Sequence, residues 1–179
     1  MDATRTSLAT RLLRWVDTGA DQGEPTSADW VRKVPFVALH LSCLLALVVG
    51  WSPVAVAIAA ALYLVRMFAI TAFYHRYFSH RSFKTSRVVQ FLGALVGVAS
   101  IQRGPLWWAA HHRAHHRHAD TEDDLHSPVQ EGFLQSHMGW IFEGRNFRTR
   151  SELVRDLARF PELRFLDRFD LVVPLLALP

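Results

Sequence analysis

The sequence has a single cysteine, Cys43, in 179 residues. That excludes an intramolecular disulfide framework and any zinc or iron–sulfur site built on thiolates. Lysine is almost missing too, since 18 of the 20 basic residues are arginine. Charged residues make up 20% of the chain, against about 25% in an average soluble domain. One stretch has none: between Lys33 and Arg66 lie 32 consecutive residues without Asp, Glu, Lys or Arg. An ordinary soluble globule does not carry such a run, and a disordered chain could not hold this much apolar surface. No charged n-region followed by an apolar core opens the chain, so a cleavable signal peptide is not expected. The net charge of +4 is mild. The basic residues sit beside the apolar span, which suits lipid headgroups better than a phosphate track, and no nucleic-acid partner is expected. No internal repeat or low-complexity segment occurs.

The uncharged run reads as two membrane helices, Val34–Gly50 and Pro53–Tyr74, joined by the turn Trp51-Ser52-Pro53. Trp30 and Trp51 bracket the first, 21 residues apart, close to the ~20 apolar residues that span a bilayer core. Arg66 falls in the last two turns of the second, tolerable near the interface or facing protein. The turn is short and neutral, whereas Arg76, Arg81, Lys84 and Arg87 follow the second helix. The N-terminal segment 1–33 and everything from residue 75 to 168 are therefore expected on the cytoplasmic side. Within 1–33, Leu8–Val16 is a candidate amphipathic segment. Residues 88–102 form a second uncharged run, too short to span and containing Gly93 and Gly97, and fit an interfacial helix. Residues 169–179 turn apolar again, like the start of a third membrane helix. The fold class expected is all-α and integral to the membrane: a transmembrane hairpin under a helical, His-rich cytosolic cap. The preference for Arg over Lys points to a GC-rich bacterial genome, hence a bacterial inner membrane.

Histidine is the abundant residue: ten in all, nine of them between His75 and His137. His75 and His80 sit where the second helix leaves the membrane. On a continuous α-helix they point roughly 140° apart, so both reach one metal only at the edge of that arc. His112, His115 and His116 at i, i+3 and i+4 share a helix face, with His111 and His115 offering a competing frame. Neutral imidazoles ligate iron, copper or zinc, and clustered imidazoles repel when protonated, so the conjunction of two such groups favours metal. The lone His40 reads as a satisfied core residue. Glu122, Asp123 and Asp124 form a charge run that reads as a solvated loop. Five histidines exceed the three or four protein ligands of one mononuclear site, so two metals are the natural reading.

The segments His75-Arg76-Tyr77-Phe78-Ser79-His80-Arg81-Ser82-Phe83 and Trp108-Ala109-Ala110-His111-His112-Arg113-Ala114-His115-His116 resemble the first two histidine boxes of membrane fatty acid desaturases, nearest to the stearoyl-CoA, Δ9-type branch. The resemblance runs on through Asp124-Leu125-His126-Ser127 to Ser136-His137-Met138-Gly139-Trp140 and covers about residues 34–179. It implies four transmembrane helices under a cytosolic cap and two iron ions in a nearly all-histidine shell, with His75, His80, His112, His115 and His116 matching five ligands. It implies that O2, as co-substrate, and two electrons from a cytochrome or a ferredoxin-type reductase serve to remove two hydrogens from adjacent methylenes of a fatty acyl-CoA or acyl-lipid, leaving a cis double bond and water. Gln102 and Trp108 match positions lining the bend of the acyl tunnel. Asp124, His126 and His137 match positions that support ligands from behind or shape the cap, and Trp107 reads as an interfacial aromatic.

The chain also departs from the family pattern. The third box and a further histidine before it are missing, for no histidine follows His137. The expectation is a piece of a longer protein, an incomplete four-helix architecture inactive by itself. Ala110-His111 replaces the Arg-Asp pair that animal members carry, which leaves CoA, lipid and carrier-linked substrates open. Two other functions stay open: a membrane di-iron hydroxylase of lipids or alkanes, and a non-catalytic membrane metal-binding protein.

Overall fold

The structure is a computed structural model that describes residue 17 and residues 30–177; the Leu8–Val16 segment and most of the N-terminal 33 residues lie outside it. All regular elements among the described residues are helical, with no strand. Helix α1, Trp30–Ser42, continues through a 3₁₀ turn, Cys43–Leu45, into a last helical turn, Ala46–Val49. It stops at Gly50, whose φ of 78° only glycine adopts freely. Ser52 then caps α2, Pro53–Phe68: its Oγ accepts from the Ala55 amide at 3.1 Å, and Pro53 occupies the first helical position.

Helix α2 does not end at Tyr74 as its hydropathy suggested. It runs without a break into a π-helical segment, Ala69–Ser79. Pro53–Ser79 is thus one 27-residue helix, the one helix among the described residues long and apolar enough to cross a membrane. Arg66 consequently lies at its middle, 13 residues from either end, and not in its last two turns. At the onset of the π segment Thr71 Oγ1 donates to the Met67 carbonyl at 2.7 Å. A hydroxyl that claims a ladder carbonyl in this way loosens the i→i−4 pattern.

Helix α3, Arg87–Val98, is capped by Ser86 Oγ on the Val89 amide. It packs against the π segment through two glycines. A Cβ at Gly93 would stand 2.1 Å from the Phe73 ring, and one at Gly97 2.1 Å from Tyr74. The same helix leaves Val88, Val89 and Leu92 exposed. Helix α4, Pro105–His118, starts with Pro105, and the Trp107 amide near its start donates to Asp167 at 2.7 Å.

Short elements complete the cap: α5 (Pro128–Glu131), α6 (Phe133–His137), α7 (Arg155–Ala158), α8 (Pro161–Arg168) and α9 (Val172–Ala177), with 3₁₀ turns between α6 and α7. Ile70, Tyr74 and Phe78 of the π segment meet Val98, Leu106, Ala109, Leu163 and Leu166 in one buried core. Val173 packs against that core and Pro174 is buried, whereas Leu175 and Leu176 are exposed. The end of the apolar helix is therefore embedded in the cap, while every residue from Pro53 to Val65 is exposed.

Candidate metal centre

The π segment positions the first two histidines. With i→i+5 bonding, one turn takes in roughly four to five residues, so residues five apart lie one above the other. The His80 amide donates to the His75 carbonyl at 3.2 Å, and the two Nε2 atoms stand 3.1 Å apart. The 140° separation expected for an α-helix is thereby removed: the extra residue per turn brings both imidazoles to one side.

Helix α4 supplies the other half. His112 Nε2 is 3.1 Å from His80 Nε2 and 3.0 Å from His116 Nε2. One ring nitrogen from each of His75, His80, His112 and His116 lies within 4.8 Å of the others. Metal–imidazole bonds are about 2.0–2.1 Å long, so neighbouring nitrogens around one ion stand about 3 Å apart. The three separations His75–His80, His80–His112 and His112–His116 match that edge, and the group is able to hold a metal. His75 and His112 are half-buried and His80 and His116 exposed, so one side of the group stays open.

Electrostatics keeps the lone pairs available. Burial, and then the imidazoles of His116, His75, His80 and His115, push His112 down to about 3. Burial and the neighbouring His75, His116 and Arg113 also lower His80. Neutral rings at pH 7 are the ligating form.

His115 turns away from this group, although the i, i+3, i+4 pattern put it on the same face. Its Nδ1 lies 3.0 Å from each Asp124 oxygen, and its ring stacks on His126 at 4.3 Å. His115, Asp124 and His126 form a second group of potential ligands. Asp124 is 2% exposed. Its burial raises the carboxyl, but the bonds from His115 and from the Asp120 and His126 amides outweigh that and hold it below the ordinary value. The acidic run is thus only partly a solvated loop: Glu122 and Asp123 are exposed and Asp124 is buried. A carboxylate behind an imidazole fixes its tautomer and plane, leaving the opposite nitrogen as the lone-pair donor.

Trp108 stacks on His112, with centroids 4.7 Å apart, and its ring is 6.4 Å from His75, so it walls the four-histidine group. Trp107 is not an interfacial aromatic. It is buried, donates from Nε1 to the Asn146 carbonyl at 2.7 Å and stacks on Trp140. His111 is buried beside it, with Nδ1 at 2.9 Å from the Trp107 carbonyl, and burial pushes it down to about 4. Gln102 stands apart from the histidines. It lines a groove along the apolar helix with Ser100, Tyr63 and Arg66, of about 390 Å³. His137 is exposed and stacks on Phe133, in neither ligand group.

Sequence reasoning passed over Arg113. It lies between the ligands of α4 but points the other way, donating to the carbonyls of Phe78, Ser79 and Leu153 and gripping Asp156 with two nitrogens. It ties the π segment's last turn to α4 and α7. Nothing in its spacing sets it apart from the exposed Arg117, and its role shows only once Asp156 is folded beneath it.

The chain is similar to known proteins. Residues 21–178 match the fatty acid desaturase family. The chain is 34% identical over 144 residues to an sn-1 stearoyl-lipid 9-desaturase of Anabaena variabilis, covering 79% of this chain and 53% of that one. It is 39% identical over 135 residues to an acyl-CoA 5-desaturase of Anemone leveillei, with coverages of 73% and 41%. It is 32% identical over 158 residues to an sn-2 palmitoyl-lipid 9-desaturase of a Nostoc strain, with coverages of 86% and 55%. The chain thus spans about half the length of the curated relatives it matches. With the family match covering nearly the whole chain and four of the five box histidines gathered into a group able to hold a metal, this protein belongs to the fatty acid desaturase family.

Proposed function

We propose that this chain carries the imidazole centre of an O2-dependent, di-iron fatty acyl desaturase that introduces a cis double bond, at Δ9, into a saturated acyl chain. The convergence of the His75, His80, His112 and His116 nitrogens carries the reading. These four would hold one iron, and His115, oriented by Asp124, would serve the second. When bound, the iron pair supplies the oxidising power that an unactivated C–H bond demands and that no side chain can provide.

The remaining roles belong to the chain's own groups. Asp124 keeps the Nδ1 proton of His115 in place, and His126 stacks against the same ring. Trp108 presents an apolar wall beside His112, and Gln102 lines the groove that approaches along the apolar helix; both border the acyl path in this reading. Five imidazoles are too few to complete two iron shells, so these 179 residues alone do not turn over. The acyl carrier is a lipid or CoA, since relatives named for each are similar to this chain. Electrons come from a cytochrome or a ferredoxin-type reductase. The apolar segments 34–49 and 53–79 form a membrane hairpin in the bacterial inner membrane, with N-terminus and cap cytoplasmic. The cationic run from Arg76 to Arg87 against the neutral Trp51–Ser52 turn supports that orientation.

The test is product analysis in cells expressing the native gene. Cis-monounsaturated acyl chains appear with the wild-type gene and vanish with His112→Ala. Hydroxylated acyl chains in their place would show a hydroxylase instead, and an unchanged lipid profile would contradict any catalytic role.

A further inference from the structure

A second groove, of about 520 Å³, opens on the cap away from both histidine groups, between the end of the π segment, the start of α3 and the α7–α8 corner. Its walls are aromatic and aliphatic, from Tyr77, Phe83, Leu157 and Phe160, while Arg81, Lys84, Arg87 and Arg159 stand around it. The acidic groups nearby are already engaged. Asp156 is held by Arg113 and Arg81, and Glu162 by a two-nitrogen grip from Arg87. Lys84 and Arg159 are exposed and have no acidic partner among the described residues. The groove therefore carries surplus positive charge over an apolar floor.

A buried amide adds a second requirement. Gln90 also lines the groove and is 3% exposed. Its Nε2 donates to Tyr77 Oη at 3.2 Å, but its Oε1 has no partner. A buried acceptor left unpaired destabilises by roughly 1–3 kcal/mol, and a ligand hydroxyl would satisfy it.

Depth selects the source of the anion, in an inference that rests on the membrane reading given above. Counting from Pro53, a bilayer core of about 30 Å is crossed in ~20 residues, near Phe73. Tyr77–Arg87 then lie at the level of lipid phosphates, beside the exposed Phe83, Val88, Val89 and Leu92. The geometry points to a binding groove for an anionic phospholipid whose phosphodiester meets Lys84 and Arg159, whose headgroup hydroxyl reaches Gln90, and whose acyl chains lie along the apolar face of α3. Phosphatidylglycerol has this chemistry.

Native mass spectrometry of the full chain in detergent, with added phosphatidylglycerol, phosphatidic acid or phosphatidylcholine, tests the assignment. The wild type retains phosphatidylglycerol over phosphatidylcholine by roughly tenfold or more. Lys84→Ala/Arg159→Ala abolishes that preference, and the equal charge removal Arg117→Ala/Arg164→Ala keeps it. Gln90→Leu equalises phosphatidylglycerol and phosphatidic acid. The groove is overturned as a lipid site if the Lys84/Arg159 variant keeps the preference, or if inorganic phosphate displaces the lipid at equal concentration. A wild type that floats with phosphatidylcholine vesicles yet shows no lipid preference overturns this inference and leaves the membrane reading intact. A wild type that does not float overturns both.

Discussion

Replacing Arg113 by Met keeps the length of the side chain and removes its fork. In the folded chain Arg113 is 14% exposed and grips Asp156, itself 25% exposed, while donating to three carbonyls, two of them in the last turn of the π segment. Removing one partner of a buried ion pair destabilises by about 3–5 kcal/mol, largely because the other charge is stranded. Here Asp156 keeps Arg81 at 2.7 Å and some water, which lowers the expected loss to about 2–3 kcal/mol. For a chain of this size that corresponds to a fall of roughly 5–10 °C in the unfolding midpoint. The assay is thermal unfolding of the metal-free full chain in detergent, followed by circular dichroism, with the exposed Arg117→Met as reference. Arg113→Lys should recover little of the loss, because an ammonium cannot reproduce the planar fork. If Arg113→Met unfolds within about 2 °C of Arg117→Met, the clamp contributes less than roughly 1 kcal/mol and the reasoning is wrong.

Two further perturbations probe the packing that holds the centre. Asp167 is raised from 3.8 to about 6, by burial first and the nearby Asp170 also, against the bonds from Thr149 and the Trp107 amide. The folded state therefore binds more protons than the unfolded one between about pH 4 and 6, so stability contributed by this group falls as pH rises through that window and is flat above it. The unfolding midpoint of wild type relative to Asp167→Asn, measured from pH 4 to 7, should decline across the window; a constant difference would refute it. Gly97→Ala places a methyl 2.1 Å from the buried Tyr74 ring. Overpacking of about 1–3 kcal/mol then exceeds the helix-propensity gain of about 1 kcal/mol, and displacement of Tyr74 moves the adjacent His75. Urea unfolding should show a lower midpoint, and an unchanged or higher one would mean that the two helices can slide apart freely.

How far the sequence could be read divides by the range of the signal. The apolar helix from Pro53 and the Trp51-Ser52-Pro53 turn before it were visible because hydropathy and turn chemistry are local, whereas the Ser52 cap appears only in the structure. The π segment was not: no periodicity marks a slip from 3.6 residues per turn, and Thr71 looks like any helical threonine. That one slip changed the geometry of His75 and His80, extended the helix to Ser79 and moved Arg66 to its middle. The i, i+3, i+4 histidines were equally legible as a cluster, but the separation of His115 from His112 and His116 depends on Asp124, nine residues further on and folded back beneath the helix. Trp107 looked interfacial beside Trp108, since adjacent tryptophans on one helix carry no sign of which faces Trp140 and which faces His112.

The most direct test of the four-histidine centre is a metal titration of the purified 179-residue chain with cobalt(II), read by visible absorption and checked by elemental analysis. One tight equivalent is expected in the wild type. It should be lost in His75→Ala, His80→Ala, His112→Ala and His116→Ala and retained in His115→Ala. No stoichiometric binding, or a tight equivalent that survives His80→Ala and disappears with His115→Ala, would contradict the account.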